Sequence, residues 1–253
     1  MTGFMEILSA APGISVQNLG TPGFLAYGLA PGGAADRRAL WEAAALLGQP
    51  APLPALEMPL RGGRFRGTYP TRIALTGAPM RATREGQSLR WNASHRLAPG
   101  EVLEIGATEA GVYGYLAFAG GIALPQTLGP RPTLAAGDTI PLGADLTPEA
   151  PSLLLPPEPR FTGGVLRVLD GPQSALFDPE TRARAFATAF TAGPGNRQGL
   201  ALAHPGAPFV TPTGALVSDF ITPGDVQMTG AGHPVVLLAG CQTVGGYPRL
   251  GTV

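Results

Sequence analysis

Three polar, glycine-flanked patches hold the residues of this chain best suited to chemistry. The last of them is Gln242-Thr243-Val244-Gly245-Gly246-Tyr247-Pro248-Arg249, which follows the apolar run at 235–239. Paired glycines let the backbone turn close to another group, so Gln242, Thr243, Tyr247 and Arg249 can be presented together. The structural alternative is a glycine hairpin between two core strands. A second patch, residues 193–199, sets Asn196 beside Arg197 among glycines. An amide that donates and accepts, next to a guanidinium fork, suits an amide or carboxylate substrate. Its alternative is a turn-forming Asn beside a solvated Arg. In the third patch, residues 15–23, Gln17 and Asn18 either line a pocket or satisfy loop backbone. No Ser, His and Asp grouping points to nucleophilic hydrolysis. Glu101 and Glu104 on one strand, with Glu85 and Asp219 isolated, give only a weak case for carboxylate acid–base chemistry.

Composition narrows the classes. The chain has 253 residues, 44% hydrophobic, with 37 Gly and 28 Pro, so turns are frequent and long helices few. Charge is sparse at 13% and sums to zero, which provides no basic surface for nucleic acid or anionic lipid. All 17 basic side chains are Arg. The absence of Lys excludes a Schiff-base lysine, a lysine-bearing phosphate loop and a biotinylated lysine in this chain. A single cysteine, Cys241, excludes an internal disulfide and a cysteine-based zinc site. The histidines His95, His204 and His233 lie far apart without ligand spacing, so no metal site is expected. No apolar run approaches the roughly 20 residues needed to cross a membrane, and the start lacks the pattern of a signal peptide. A soluble cytoplasmic protein is expected.

The elements that must position the patches are mainly β. Asp36 caps a helix from Arg37 to Gly48, where Leu40, Ala43, Ala44 and Leu47 recur at helical spacing. Strands are expected near 5–8, 55–60, 72–75, 101–105, 114–119 and 139–142, then at 165–169 and from Ala215 onward, with a second helix over 179–190. The proline-dense stretch 146–160 reads as a linker. Each half runs strand, loop, one helix, then strands around a Thr-Gly-Ala triplet, at 76–78 and 229–231. This predicts a domain over 1–145, the linker, and a related domain over 161–253. Each is expected to be a small β-barrel with one helix plugging an end.

Read together, the patches resemble the biotin-dependent carboxyltransferase family, which includes the C subunit of 5-oxoprolinase and KipA. The matching pieces run colinearly through the chain: residues 15–23, 28–36, 55–57, 75–78, 117–122, 128–131, 167–173, 196–199 and 242–249. The resemblance implies tandem cyclophilin-like β-barrels and a partner of the KipI type (the B subunit of 5-oxoprolinase), with a LamB/YcsF-like third subunit. It also implies ATP, with Mg, at the level of the complex, and a small amide or lactam such as 5-oxoproline as substrate. Arg197 and Arg249 then become phosphate or carboxylate clamps. Gln242, Asn196 and Gln17 orient the amide, with Asn18, Thr243, Gly245, Gly246 and Tyr247 around it.

Several positions depart from the family pattern. Asn18 stands where Asp is usual, Thr21 where Arg is, Ala35 where Met is, and Arg249 where Lys is. Gly240-Cys241 replaces an Asp-Arg pair, residues 132–138 cut short a longer glycine-rich loop, and the second domain is expected to be truncated at its end. Three readings stay open: a catalytic subunit of an ATP-dependent amidohydrolase, a non-catalytic regulator like KipA, and a carboxyltransferase piece receiving carboxybiotin from another chain.

Overall fold

The computed structural model of the chain describes residues 3–123, 125, 132–156, 159–212 and 216–253. The 128–131 motif and Ala215 therefore lie outside the described residues. The chain is mainly β, with two α-helices among those residues. It divides into two compact units, Met1–Gly20 with Asp36–Gly163, and Thr21–Ala35 with Gly164–Val253. Residues 146–160, read above as a linker, cluster with the first unit.

The first unit contains β1 (Phe4–Ala10), β2 (Ser15–Gln17), β3 (Ala55–Pro59), β4 (Gly63–Gly67), β5 (Thr71–Gly77), β6 (Met80–Arg84), β7 (Gln87–Ser88), β8 (Ala93–Leu97), β9 (Val102–Thr108), β10 (Tyr113–Phe118) and β11 (Thr139–Pro141). They form two antiparallel sheets, ordered β11-β1-β4-β9-β6-β7 and β2-β3-β10-β5-β8. Alternating side chains from both sheets meet in one buried cluster, including Met5, Ile7 and Phe65 from the first and Leu56, Ile73 and Leu116 from the second.

Helix α1 (Arg37–Leu47) covers the outer face of the second sheet, which is why β5 is buried along its whole length. Ile73 and Leu75 join the core between the sheets, so Arg72, Ala74 and Thr76 face the other way. Thr76 Oγ1 donates to Ala39 O at 2.9 Å, and Arg72 Nη2 donates to Leu47 O at 3.1 Å. The Asp36 carboxylate caps the helix by accepting from Ala39 N at 3.1 Å. Arg160 clamps its first turns, pairing with Asp36 at 2.9 Å and Glu42 at 2.6 Å. Burial alone would lower the Arg160 pKa, but the Glu42 and Asp36 carboxylates outweigh that and raise it.

Beneath the start of α1 a buried polar row crosses the sheet: Ser15, Glu57, Tyr115 and Thr76 are successive register partners. Tyr115 OH donates to Glu57 Oε2 at 2.7 Å and accepts from Asp36 N at 2.8 Å. Buried polar groups persist only when paired, and these set the point where the helix begins.

The second unit contains β12 (Thr191–Gly195), β13 (Gly199–Ala203), β14 (Asp219–Phe220), β15 (Asp225–Met228), β16 (Pro234–Leu237), β17 (Val244–Gly245) and β18 (Arg249–Thr252). One antiparallel sheet runs β12-β13-β16-β15-β18, and β14-β17 forms a separate two-stranded ribbon. Helix α2 (Pro179–Ala187) is capped by Asp178, which accepts from Thr181 N at 2.7 Å. Its Ala185 joins Phe177, Val226, Met228, Val236 and Leu250 in the core. A smaller cluster unites Ile221, Leu237 and Cys241.

Two expectations are corrected. The second helix ends at Ala187, because Thr188 is already extended and its hydroxyl donates to Arg184 O. Residues 165–169 form no continuous strand. Only Leu169 pairs, with Thr252, and Val165 and Leu166 remain exposed for want of a neighbouring strand. Among the described residues no helix is long and apolar enough to cross a membrane.

Arg72 generates a stability prediction. Its guanidinium is buried and pairs with Asp145 Oδ2 at 2.9 Å, while Thr147 Oγ1 accepts from it at 2.7 Å. Burial alone would raise the Asp145 carboxyl, but the hydrogen bonds from Arg72 and from Thr147 N, with Arg72's charge, hold it below its ordinary value. This stabilisation is present above about pH 4 and is lost as pH falls through the depressed folded value. Arg72→Met should cost about 3–5 kcal/mol at pH 7 in urea unfolding, because it leaves a buried carboxylate unpaired. The cost should shrink below about pH 4. An equal cost at pH 7 and pH 3 would show that the pair is not what stabilises this corner.

Candidate functional site

Asn196, Arg197 and Gln198 form the turn between β12 and β13. Asn196 N donates to Gly199 O at 3.0 Å, and the Asn196 side-chain oxygen accepts from Gln198 N at 2.7 Å and Gly199 N at 3.4 Å. Asn196 thus closes an Asx-type turn with its oxygen and keeps its amide NH2 for other use.

Backbone bonds then tie this turn to the residues following β16. Leu238 N donates to Gln198 O at 2.9 Å, Gly240 N to Arg197 O at 2.7 Å, and Cys241 N to Leu238 O at 2.9 Å. This strap brings the 196–198 and 240–242 motifs side by side and leaves Gln242 exposed just beyond. Gly240 is required by closeness: a Cβ there would lie 2.9 Å from Arg197 O and 3.1 Å from Arg197 Cβ. The Arg197 guanidinium donates to Gly33 O, in the 21–35 segment that belongs to the same unit. Burial lowers the Arg197 pKa.

Past Gln242 the chain enters the ribbon. Ile221 N donates to Thr243 O at 3.1 Å, and Val244 and Gly245 pair with Phe220 and Asp219. Gly245 crosses directly over Gln227, where an added Cβ would approach Nε2 to 2.7 Å. Gly246 and Tyr247 are exposed, and Met228 N donates to Pro248 O at 2.8 Å.

Arg249 is heavily engaged. Its Nη2 pairs with Asp219 and its Nη1 with Phe220 O and, at 3.4 Å, with Asp225 Oδ2. Its backbone N and Nε donate to Gln173 Oε1 at 3.0 and 3.3 Å. Asp225 is itself buried, accepting also from Thr222 N at 3.0 Å and Thr252 Oγ1 at 2.6 Å. These partners were not found in the sequence, because Gln173, Asp219 and Asp225 lie in other elements and no local pattern links them to Arg249. Cys241 is buried against Ile221 and Leu237, and burial, helped by the Asp225 charge, pushes its thiol pKa up.

Gln17 and Asn18 belong to the first unit, whereas the other candidates belong to the second. Gln17 is buried on β2 and donates from Nε2 to Ser15 Oγ at 2.9 Å. Asn18 is half-buried, and its side-chain oxygen accepts from Gly20 N at 2.9 Å. The link between Glu57 and Tyr115 leaves no local pattern in the sequence, because the two residues lie on different strands.

Comparison with known proteins gives these residues a context. The model of the carboxyltransferase domain, subdomains A and B, matches residues 27–253. The chain is 31% identical to the C subunit of 5-oxoprolinase from Escherichia coli and 26% identical to that from Haemophilus influenzae, each match covering 98% of this chain and 84% of the relative. It is 30% identical to urea amidolyase of Saccharomyces cerevisiae over 53% of this chain and 7% of that protein. Among solved structures, TTHA0988 superposes with a TM-score of 0.87 at 30% identity, covering 99% of this chain and 52% of that one. The chain thus spans about half of that solved protein. The Kluyveromyces lactis urea amidolyase shares the fold, with a TM-score of 0.81 at 23% identity over 99% of this chain and 17% of that one.

The Arg249 network predicts a large and a small effect. Arg249→Met should destabilise the protein by about 3–5 kcal/mol, because it strands the buried Asp225. Asp219→Asn should cost about 1 kcal/mol or less, since Asp219 is half exposed. Cys241 reports the difference without a denaturant series. Its thiol should react slowly with a disulfide reagent at pH 8 in the unaltered protein and markedly faster in Arg249→Met. Equal rates in the two proteins would remove Arg249 from the role of holding this layer closed.

Proposed function

Because the chain belongs to the carboxyltransferase family of subdomains A and B, we propose that it is one subunit of an ATP-dependent 5-oxoprolinase-type amidohydrolase. It works in the cytoplasm with a KipI-like partner and a LamB/YcsF-like third subunit on 5-oxoproline or a related small amide. The observation that supports this reading is the backbone strap that joins Gly240 and Leu238 to the 197–198 turn, two motifs far apart in sequence. The similarity to the C subunit of 5-oxoprolinase along nearly the whole chain supports the substrate class.

A lactam resists hydrolysis because amide resonance makes its carbonyl carbon a weak electrophile and its nitrogen a poor leaving group. Phosphoryl transfer from ATP to the amide oxygen, with ADP leaving, breaks that resonance. Water can then add to the carbon, the ring C–N bond breaks and phosphate is finally released. Charge develops on the phosphoryl oxygens during the transfer. A guanidinium fork suits that charge, and Arg197 supplies it. Gln242 and the free NH2 of Asn196 orient the amide, with Thr243 and Tyr247 closing the rim and Gly245 and Gly246 letting the backbone approach. Gln17, held by Ser15, and Asn18 remain the first unit's own candidates for amide contact. Arg249 has its charge matched by Asp219 and Asp225, so its contribution is to hold the hairpin in place. Mg-ATP enters at the level of the complex. None of these 253 residues is a lysine that could carry biotin.

One observation favours the regulatory alternative. Where the family pattern carries an Asp-Arg pair, Gly240 leaves no side chain and Cys241 is buried among apolar groups. A KipA-like binding protein needs the rim but not that charge.

Co-purification with the KipI-like chain, followed by 5-oxoproline-dependent ATP hydrolysis, separates the two. The catalytic reading expects turnover by the assembled complex. It also expects Arg197→Ala to lower kcat/KM at least about 100-fold without loss of assembly. An intact complex with no turnover overturns the catalytic reading, and unchanged kinetics in Arg197→Ala removes Arg197 from the site.

A further inference from the structure

The ribbon β14-β17 lies on the five-stranded sheet with its polar side inward. Asp219 stands opposite Gly245 and Phe220 opposite Val244, so each pair shares one face of the ribbon. Asp219 reaches Arg249 and Gly245 crosses over Gln227, which makes theirs the inner face. Phe220 and Val244 point the other way and are 67% and 48% exposed. A ribbon fastened for stability alone would turn its apolar pair toward the sheet, where burial stabilises.

Its hold on the sheet is slight. Each strand has two residues, and a two-stranded ribbon of that length has little stability of its own. Arg249 grips it through the Asp219 carboxylate and Phe220 O. Asp219 is half exposed, so that pair contributes little. Ile221 adds an apolar contact with Leu237 and Cys241. Against these stands Gln227. On β15, Val226 and Met228 face the core, so Gln227 and Asp225 face the ribbon. Gln227 Nε2 is buried beneath Gly245 and has no acceptor among the described residues, which weakens the closed arrangement.

The bases of the ribbon are firmly rooted. Thr222 N donates to Asp225 Oδ2 at 3.0 Å, Gly240 N to Arg197 O at 2.7 Å, and Met228 N to Pro248 O at 2.8 Å. Segments with few buried apolar contacts open locally while the rest of a domain stays folded. We propose that the ribbon β14-β17 is a lid, latched by Arg249 through Asp219 and Phe220 O, that opens as a unit over an intact sheet. On opening, residues 219–221 and 242–247 lift together, Ile221 leaves Cys241, and the Gln227 amide reaches solvent. Asp225 and Gln173 keep Arg249 in place meanwhile. Opening thereby controls access around Thr243 to Tyr247. That consequence rests on the amide-contact role proposed above, whereas the opening itself is measured on the free chain without turnover.

The experiment combines hydrogen exchange with labelling of Cys241 by a disulfide reagent at pH 8. Residues 219–221 and 243–246 should exchange together, at least about tenfold faster than β15 and β16. Labelling should respond to dilute urea far less steeply than global unfolding does, because a lid exposes little new surface. Asp219→Asn should speed labelling about fivefold by loosening the latch. Asp170→Asn, the same change in the exposed Asp170–Arg182 pair, should leave it unaltered. Gln227→Met removes the unpaired donor at similar length and should slow labelling at least about fivefold, a direction that a damaged fold does not produce. The proposal is overturned if the ribbon exchanges no faster than the sheet, or if labelling tracks global unfolding. It is equally overturned if the two Asp variants behave alike, or if Gln227→Met labels as fast as the unaltered chain.

Discussion

A guanidinium drawn largely out of water must be matched by several partners, and each unit of this protein gathers residues around one. In the first, Arg72 sits within β5 and reaches Leu47 O at the end of α1, together with Asp145 and Thr147. One charge thereby fixes a strand, the end of a helix and a distant loop. In the second, Arg249 on β18 gathers Gln173, Asp219, Phe220 and Asp225 from other places in the chain. Arginine suits this role better than lysine, because its planar fork makes several bonds at once and keeps its charge when desolvated. With few charged residues in the chain, a large share of its order rests on these two.

The candidate site depends on that order. Arg249 and its carboxylates hold β18 and the ribbon β14-β17, and the ribbon positions the 242–247 segment. The strap from 196–198 to 238–241 does the rest, using backbone bonds that any sequence of suitable size can make. The framework here is carried by the main chain and by one compensated charge. The same division holds around α1, where Asp36, Tyr115 and Glu57 set the helix start and the apolar face does the packing.

Much of this was legible in the sequence. Helix α1 was, because its buried residues recur at helical spacing between a capping Asp36 and Gly48. Strands such as β3 and β10 were, because they are continuous apolar runs. β4 was not: only Phe65 points inward, between the exposed Arg64 and Arg66. β12 escaped notice because its Thr-Ala-Gly-Pro-Gly is largely exposed and carries no apolar signal. Residues 165–169 misled in the opposite sense, since apolar content without a neighbouring strand makes no sheet. At the site, the motifs containing Arg197, Gln242 and Arg249 were readable as pieces. Their connections were not, because Gly33 meets Arg197 and Asp219 meets Arg249 only through the fold.

The 196–198 turn is bordered by glycines, yet it is no phosphate nest. The amide hydrogens of residues 196, 198, 199, 240 and 241 already point at Gly199 O, the Asn196 side-chain oxygen, Arg197 O and Leu238 O. Anion sites built from main-chain N–H groups tolerate almost any side-chain substitution, because their donors belong to every residue alike. Those five donors are occupied, so under the proposed function discrimination among ligands falls to the rim side chains. Relatives can therefore diverge in ligand by exchanging a few rim residues while the same scaffold stays intact.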